Sequence, residues 1–271
     1  MIDAEKQQRL EDAIRRAGQK LLAFWPGRVL SKEAGPLDLG ALRKADGSFV
    51  TQADYASNEI LVETLGALFP DDVIVSEEMP LPDPDTLHGR IWIIDPLDGT
   101  KSFMEGNDDF SILAALCQSG KAEFGVMHFP ARSQYAVGAA GRGATLDGIT
   151  LQVSRSAEPR SRCVYGRHLP AKGKTEEIFY DRWVDSGCAF LNVARGIFDG
   201  VIIRIVNHRE WDLAAPAIVL AESGGRVSDG RGNDIRFDRP IDYRYFIASN
   251  GIVHEQLVKL VQSWDGEAPG L

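Results

Sequence analysis

The run Asp95-Pro96-Leu97-Asp98-Gly99-Thr100 combines two carboxylates, a rigid turn residue and a glycine directly after an apolar stretch. A tight turn from Asp95 to Asp98 would aim both carboxylates at one point, and two such charges need a cation. Carboxylate and carbonyl oxygens suit Mg²⁺. Pro96 is expected to end the strand and leave the Leu97 carbonyl free for a ligand. Gly99 and Thr100 are placed to start a helix whose free N–H groups face an anion. The run predicts a metal-dependent phosphoryl site.

The alternative interpretation is a solvent-facing turn with an Asx cap, which is common in loops. Short motifs match by chance, so this run alone leaves both interpretations open. Further acids elsewhere in the chain are needed to decide between them.

Three more acids stand where strands or helices are expected to begin or end. Glu77 follows the apolar residues 73–75, and we expect Glu78 to be the more solvated of the two neighbouring acids. Asp212 is expected in the first turn of an apolar helix whose small residues favour close packing, although a role as N-cap or as partner of the helix dipole is also open. Asp54 forms a capping-box pattern with Thr51, and that role alone would explain it.

The composition is that of an ordinary globular protein, with 271 residues of which 44% are hydrophobic and 25% charged. A net charge of −9 argues against a nucleic acid polymer as partner and leaves a small phosphorylated metabolite possible. The N-terminus is too polar for a signal peptide and no apolar run is long enough for a bilayer, so we expect a cytoplasmic protein without membrane contact. The three cysteines, Cys117, Cys163 and Cys188, are expected to be reduced and mostly buried.

Hydrophobic periodicity predicts alternating helices and strands of the α/β (α+β) class. Helices are predicted at 4–24, 51–68, 187–194, 211–222 and 253–261. Strands are predicted at 73–75, 91–94, 111–117, 123–127, 135–137, 200–206 and 246–248, those at 111–137 forming an antiparallel meander. We expect a single catalytic module of residues 1–271. Its halves would be an N-terminal α+β part, 1–145, with the metal site and a C-terminal α/β part, 146–271.

Three segments together carry a resemblance to a known family. The strand-end Glu77, the run DPLDGT at 95–100 and the segment WDLAAPAIVLAESGG from Trp211 to Gly225 are similar to the signature segments of the inositol monophosphatase superfamily, in order and approximate spacing. Residues 44–48 with Thr51 and Asp54 resemble its N-terminal segment. The resemblance implies a layered αβαβα sandwich of the inositol monophosphatase/fructose-1,6-bisphosphatase type. It also implies a phosphoric monoester hydrolase that is inhibited by lithium and forms a homodimer.

The resemblance also implies roles for the matching residues. One Mg²⁺ would be held by Glu77, Asp95 and the Leu97 carbonyl, and a second by Asp95, Asp98 and Asp212. A weaker third site would involve Glu77, mostly through water. The nucleophile would be a metal-activated water near Glu77 and Thr100, with Asp54 hydrogen-bonded to Thr100. Gly99 and Thr100 would offer N–H groups to the phosphate.

The substrate is less well defined by these patterns. Gly187, Cys188 and Ala189 resemble the family loop that lies over the substrate, although helix-start packing explains them equally well. Ile205 stands where inositol phosphatases commonly have an acid, which counts against myo-inositol. Lys101-Ser102-Phe103 resembles histidinol-phosphate phosphatases and bisphosphate nucleotidases, and Glu210 resembles the latter. A hypothesis of another class is a sensor that binds metal and phosphometabolite without hydrolysis.

Overall fold

The computed structural model describes most of the chain. The described residues are 2–27, 40–44, 49–83, 87, 89–158, 185–205, 208–239 and 241–264, with the backbone alone at 163–165 and 179–180. The helices are α1 Ala4–Phe24, α2 Gln52–Leu68, α3 Thr100–Met104, α4 Ser186–Ala194, α5 Glu210–Glu222 and α6 His254–Trp264. The strands are β1 Leu42–Arg43, β2 Phe49–Val50, β3 Val73–Ser76, β4 Arg90–Asp98, β5 Ser111–Gln118, β6 Lys121–Phe129, β7 Gln134–Ala139, β8 Gly143–Leu146, β9 Ile149–Thr150, β10 Cys163–Tyr165, β11 Phe179–Tyr180, β12 Gly200–Arg204, β13 Arg226–Asp229 and β14 Tyr245–Ser249.

Two sheets carry the fold. Strands β3 to β9 form a seven-stranded sheet in chain order, in which β3 runs parallel to β4 and every later pair is antiparallel. The predicted meander is therefore confirmed and extends through β9. The second sheet has the order β11-β10-β12-β14-β13, and β1 pairs with β2 in a small separate hairpin.

The apolar clusters show that helices and sheets alternate in five layers. Helices α1 and α2 cover one face of the large sheet, where Trp92 and Ile94 of β4 are buried. Helices α4 and α5 lie on its other face with Ile91 and Ile93, and the same cluster reaches strands β12 and β14 of the small sheet. Helix α6 packs on the far side of the small sheet. Burial of apolar surface on both faces of each sheet stabilises this αβαβα sandwich, as the resemblance implied.

The predicted helices and strands occur within the described residues, with ends that shift by a few residues; residue 206 of the strand predicted at 200–206 lies outside them. The strand at 91–94 differs most, because β4 continues through Pro96 to Asp98. Its pairing with β5 shifts register between Asp95 and Asp98 and resumes opposite Ser111. The expectation that Pro96 ends the ladder is wrong, since a bulge accommodates the residue without an N–H.

Two further expectations from the sequence can be compared with the structure. Cys117 and Cys188 are free and buried as predicted, whereas the side chain of Cys163 lies outside the described residues. Among the residues described, no helix has the length and apolar character needed to cross a bilayer. The division of the module near residue 145 stays a prediction.

Candidate active site

Three carboxylates converge where β4 ends and α5 begins. Asp95, Asp98 and Asp212 each place one carboxylate oxygen within 4.8 Å of the others. Asp95 and Asp98 are buried, and Asp212 is partly exposed. Such a group of acids can hold a cation, and the partly exposed Asp212 gives the cation access from solvent.

The bulge in β4 gives Asp95 and Asp98 their common direction. The Asp95 carboxylate accepts the Leu97 amide at 2.9 Å, and the Pro96 carbonyl accepts the Ser57 hydroxyl at 2.8 Å. The directions of the Asp95 and Asp98 side chains are therefore set by a bulge that is hydrogen-bonded to α2, and not by the tight turn expected from the sequence. The Leu97 carbonyl, the predicted metal ligand, accepts the Thr100 hydroxyl at 3.1 Å and keeps acceptor capacity for another contact.

Helix α5 brings Asp212 to the group through close packing on the large sheet. A Cβ added to Gly125 of β6 would lie 2.9 Å from the Ala215 carbonyl oxygen, so only glycine permits this approach. Asp212 also accepts the amide of Arg209, the N-cap residue of α5, at 2.6 Å. Asp212 is therefore not the N-cap but an acid in the first turn of α5, and its carboxylate both accepts the N-cap amide and joins the other acids.

Glu77 lies beside this group but pairs with a lysine. Its amide donates to the Ile94 carbonyl at 3.2 Å, which places it next to Asp95 across the β3–β4 pair. Lys44 Nζ lies 2.8 Å from Glu77 and 2.7 Å from Glu78. The Glu78 side chain is 3% exposed against 17% for Glu77. The expectation that Glu78 is the solvated acid is wrong, because the ion pair with Lys44 lets it be buried.

Asp54 connects α2 to the start of α3. Its carboxylate accepts the Thr51 amide at 2.7 Å and the Thr51 hydroxyl at 2.6 Å, which confirms the capping box. Its other oxygen lies 3.3 Å from the Thr100 hydroxyl. The capping role and the predicted contact with Thr100 are therefore both present.

Gly99 occupies a position that only glycine tolerates. Its φ is +85°, and an added Cβ would lie 2.6 Å from the Asp109 carbonyl oxygen. Thr100 begins α3 directly after it, as predicted. The first amides of the helix are not used within it, so these N–H groups remain available to an acceptor.

The three residues predicted as substrate contacts are held inside the protein. The Gly187 amide donates to Asp98 at 3.0 Å. Cys188 and Ala189 are buried in the cluster between the sheets, and Arg132 donates to Cys188 Sγ at 3.3 Å. These three residues therefore pack inside the protein next to the site, and their contact with substrate stays a prediction.

Burial raises the pKa of every acid in the group. The pKa of Asp95 lies well above its ordinary value because of burial and then because of Glu77, Asp98 and Asp212. Burial raises the pKa of Asp98 to about 6 although three hydrogen bonds oppose the shift, and it raises the pKa of Asp54 to about 7. The pKa of Asp212 is raised by burial and by Asp98. Close carboxylates in a buried setting favour either protons or a bound cation.

Three contributing residues were missed in the sequence. Ser111 and Ser186 donate to Asp98, and Lys44 pairs with Glu77. The pattern Asp185-Ser186-Gly187 is a helix start, whose free amides could have indicated a nearby carboxylate. Ser111 carries no such signal, because it reaches the site only through the sheet. Lys44 belongs to the segment that resembles the family's N-terminal segment, but its pairing with Glu77 depends on where the β1–β2 hairpin lies.

Known proteins share the sequence pattern and the fold of this chain. The model of the inositol monophosphatase family matches residues 5–265. The chain belongs to the inositol monophosphatase family. The fructose-1,6-bisphosphatase/inositol-1-monophosphatase of Thermotoga maritima is 33% identical over 258 residues, which cover 92% of each chain. The histidinol-phosphatase of Mycobacterium tuberculosis is 32% identical, over 83% of this chain and 88% of that protein. The solved Thermotoga maritima IMPase matches with a TM-score of 0.79 at 28% identity, over 94% of this chain and 96% of that one.

This member of the inositol monophosphatase family is therefore a phosphatase. Two residues that resemble other phosphatases of the superfamily, Glu210 and Lys101, have structural contacts. Glu210 accepts the Ile241 amide at 2.8 Å and so anchors the segment before β14. Lys101 lies 3.8 Å from the exposed Glu105, as a surface charge would. Neither contact identifies the substrate of this family member.

Proposed function

We propose that the chain is a Mg²⁺-dependent phosphomonoesterase that hydrolyses a small phosphorylated metabolite. The observation that carries the proposal is the convergence of the carboxylates of Asp95, Asp98 and Asp212 within 4.8 Å. Hard oxygen donors of this kind fit Mg²⁺, which is bound by a few carboxylates and by substrate phosphate. Glu77, Asp95 and the Leu97 carbonyl would hold one cation. Asp95, Asp98 and Asp212 would hold a second.

The hydrogen bonds of Asp95 are consistent with a bridging role. A carboxylate has about four acceptor positions, and Asp95 uses one of them for the Leu97 amide. Most of its acceptor capacity is therefore left for cations on either side. Bound Mg²⁺ neutralises the phosphate ester, lowers the pKa of a water molecule and stabilises the leaving alkoxide.

Thr100 and Asp54 are arranged to accept a proton. The Thr100 hydroxyl has one proton, which is directed to Asp54 or to the Leu97 carbonyl, so its oxygen is left as an acceptor for water. In the metal-free protein, burial raises the pKa of Asp54 to about 7, so its carboxylate can take up a proton near neutral pH. Glu77 adds negative charge beside the group, and the amides of Gly99 and Thr100 would hold the phosphate.

A second candidate substrate is histidinol phosphate in place of inositol phosphate. Ile205 supplies no carboxylate for ring hydroxyls, and Lys101-Ser102-Phe103 resembles the histidinol-phosphate phosphatases. A relative described as a histidinol-phosphatase, at 32% identity, supports this candidate. A bisphosphate nucleotidase activity is a third possibility, suggested by Glu210. Lithium inhibition, a homodimer and a cytoplasmic location are proposed from the family alone.

The test is release of inorganic phosphate by the purified protein with Mg²⁺. The panel contains inositol 1-phosphate, histidinol phosphate, 3′-phosphoadenosine 5′-phosphate and fructose 1,6-bisphosphate. We expect turnover of at least one compound, lost on chelation and restored by Mg²⁺. Binding of these compounds without phosphate release would instead support the non-catalytic sensor.

Asp95→Asn tests the bridging role directly. The loss of a few kcal/mol of charge stabilisation corresponds to a decrease in kcat of at least about 100-fold. The fold should persist, because the amide removes a buried negative charge. Asp71→Asn, at an exposed position, is the matched control and should keep full activity. Retained activity in Asp95→Asn would refute the role.

A further inference from the structure

We propose that Ser111 and Ser186 are positioning residues that fix the orientation of the Asp98 carboxylate for a bound cation. The proposal rests on the metal-dependent function proposed above. It assigns a task to two serines that are not metal ligands and that lie on separate elements, β5 and α4. Gly187 completes the arrangement through its backbone.

Both oxygens of Asp98 are held. Oδ1 accepts the Ser186 hydroxyl at 2.8 Å. Oδ2 accepts the Ser111 hydroxyl at 3.0 Å and the Gly187 amide at 3.0 Å. Because the donors approach from two elements, rotation of the carboxylate about its Cβ–Cγ bond would break at least one of these bonds.

The number of donors separates Asp98 from its two neighbours. Of the roughly four acceptor positions of its carboxylate, three are occupied, which leaves one on Oδ1. Among the contacts of the described residues, Asp95 accepts only the Leu97 amide and Asp212 only the Arg209 amide. Of these three acids, Asp98 is therefore the one whose orientation is fixed by the most hydrogen bonds.

The packing around Asp98 is close. Ser111 is fully buried and Ser186 is 7% exposed. An added Cβ at Gly187 would lie 2.6 Å from both Asp98 Oδ2 and the Ser111 hydroxyl oxygen. A metal ligand held in this way loses little rotational freedom when it binds, and partners of metal ligands typically contribute 10- to 100-fold to metal affinity.

The experiment measures Mn²⁺ binding to metal-free protein in the absence of substrate, by electron paramagnetic resonance of the free ion. We expect the Kd for Mn²⁺ to rise about 10- to 100-fold in the double variant Ser111→Ala/Ser186→Ala. In kinetic assays the Mg²⁺ concentration for half-maximal activity should rise in the same way, while kcat at saturating Mg²⁺ stays close to that of the parent. The variant Ser186→Thr keeps the hydroxyl group, so its affinity for Mn²⁺ should be close to that of the parent and higher than that of Ser186→Ala.

Ser223→Ala is the matched control, because Ser223 is a buried serine whose hydroxyl donates to the Val219 carbonyl at 2.7 Å in α5. It should leave the Kd unchanged. The single variants carry the test if the double variant does not fold. An unchanged Kd in folded serine variants would overturn the positioning role while the metal centre stands. Absence of Mn²⁺ binding in the parent would instead overturn the proposed metal centre itself.

Discussion

The ammonium group of Lys44 lies 2.8 Å from Glu77 Oε1 and 2.7 Å from Glu78 Oε1. Burial alone would lower the pKa of Lys44, but the hydrogen bonds to the two glutamates raise it on balance. In the metal-free protein, Lys44 is thus the positively charged partner of the Glu77 carboxylate. A cation that binds to Glu77 has to compete with the Lys44 ammonium group.

Replacing Lys44 with methionine should make the protein more dependent on metal. Loss of this partly buried pair should lower the free energy of unfolding of the metal-free protein by about 2 kcal/mol, less than for a fully buried pair. The increase in Tm on adding Mg²⁺ should be larger than in the parent, because the competing charge is gone. Lys101→Met is the control, since its pair with Glu105 is exposed. Equal Mg²⁺-induced shifts in parent and Lys44→Met would contradict the competition.

Gly187→Ala should disturb the hydrogen bonds that hold the Asp98 carboxylate. The new methyl group would displace Asp98 Oδ2 or the Ser111 hydroxyl, and overpacking of this kind costs about 1–3 kcal/mol. We expect weaker Mn²⁺ binding and lower activity in a variant that still melts cooperatively. Gly66→Ala in α2 is the control, because nothing lies within 4 Å of the added Cβ. It should gain about 0.4–1 kcal/mol of stability and keep its activity.

The metal-free protein should lose stability as the pH rises. The pKa of Asp98 is raised to about 6 and that of Asp54 to about 7, from an ordinary value of 3.8. Groups whose pKa is higher in the folded state contribute stability that is complete below about pH 4 and is lost as the pH rises through about 6 to 7. Urea unfolding in EDTA should show this decrease. Mg²⁺ should stabilise the protein more at pH 8 than at pH 5, since protons compete for the same carboxylates.

His254 should act in the opposite direction. Its two ring nitrogens lie 2.8 Å from the hydroxyls of Ser249 and Ser228, and burial, followed by Arg226, lowers its pKa from 6.5 to about 4. The unfolded chain takes up a proton first, so the contribution of His254 is complete above about pH 6.5 and is lost as the pH falls toward 4. The stability difference between parent and His254→Gln should shrink over that range. A difference that does not vary with pH would show that His254 stays neutral in both states or charged in both.

The parts of the site that follow from strand ends could be predicted from the sequence. Apolar runs locate the end of β3 and the start of α5, and so Glu77 and Asp212. The apolar run in β4 locates Asp95, although the strand continues to Asp98. The bulge at Pro96 could not be predicted, because a proline looks the same whether a strand ends or bulges there. Pairings between distant residues were also missed, such as Lys44 with Glu78 and Ser186 with Asp98, since they depend on how layers pack and leave no local pattern.

Helix α5, which lies between the two sheets, has a consequence for any shortened form of this protein. Asp95 and Asp98 are encoded early in the chain, whereas Asp212 arrives only with the helix that packs on β5 and β6. A fragment that ends before residue 212 retains two neighbouring aspartates but not their partner. If Asp212 acts as proposed, activity requires the C-terminal layers to be assembled, and enzyme activity can then serve as a readout of complete folding.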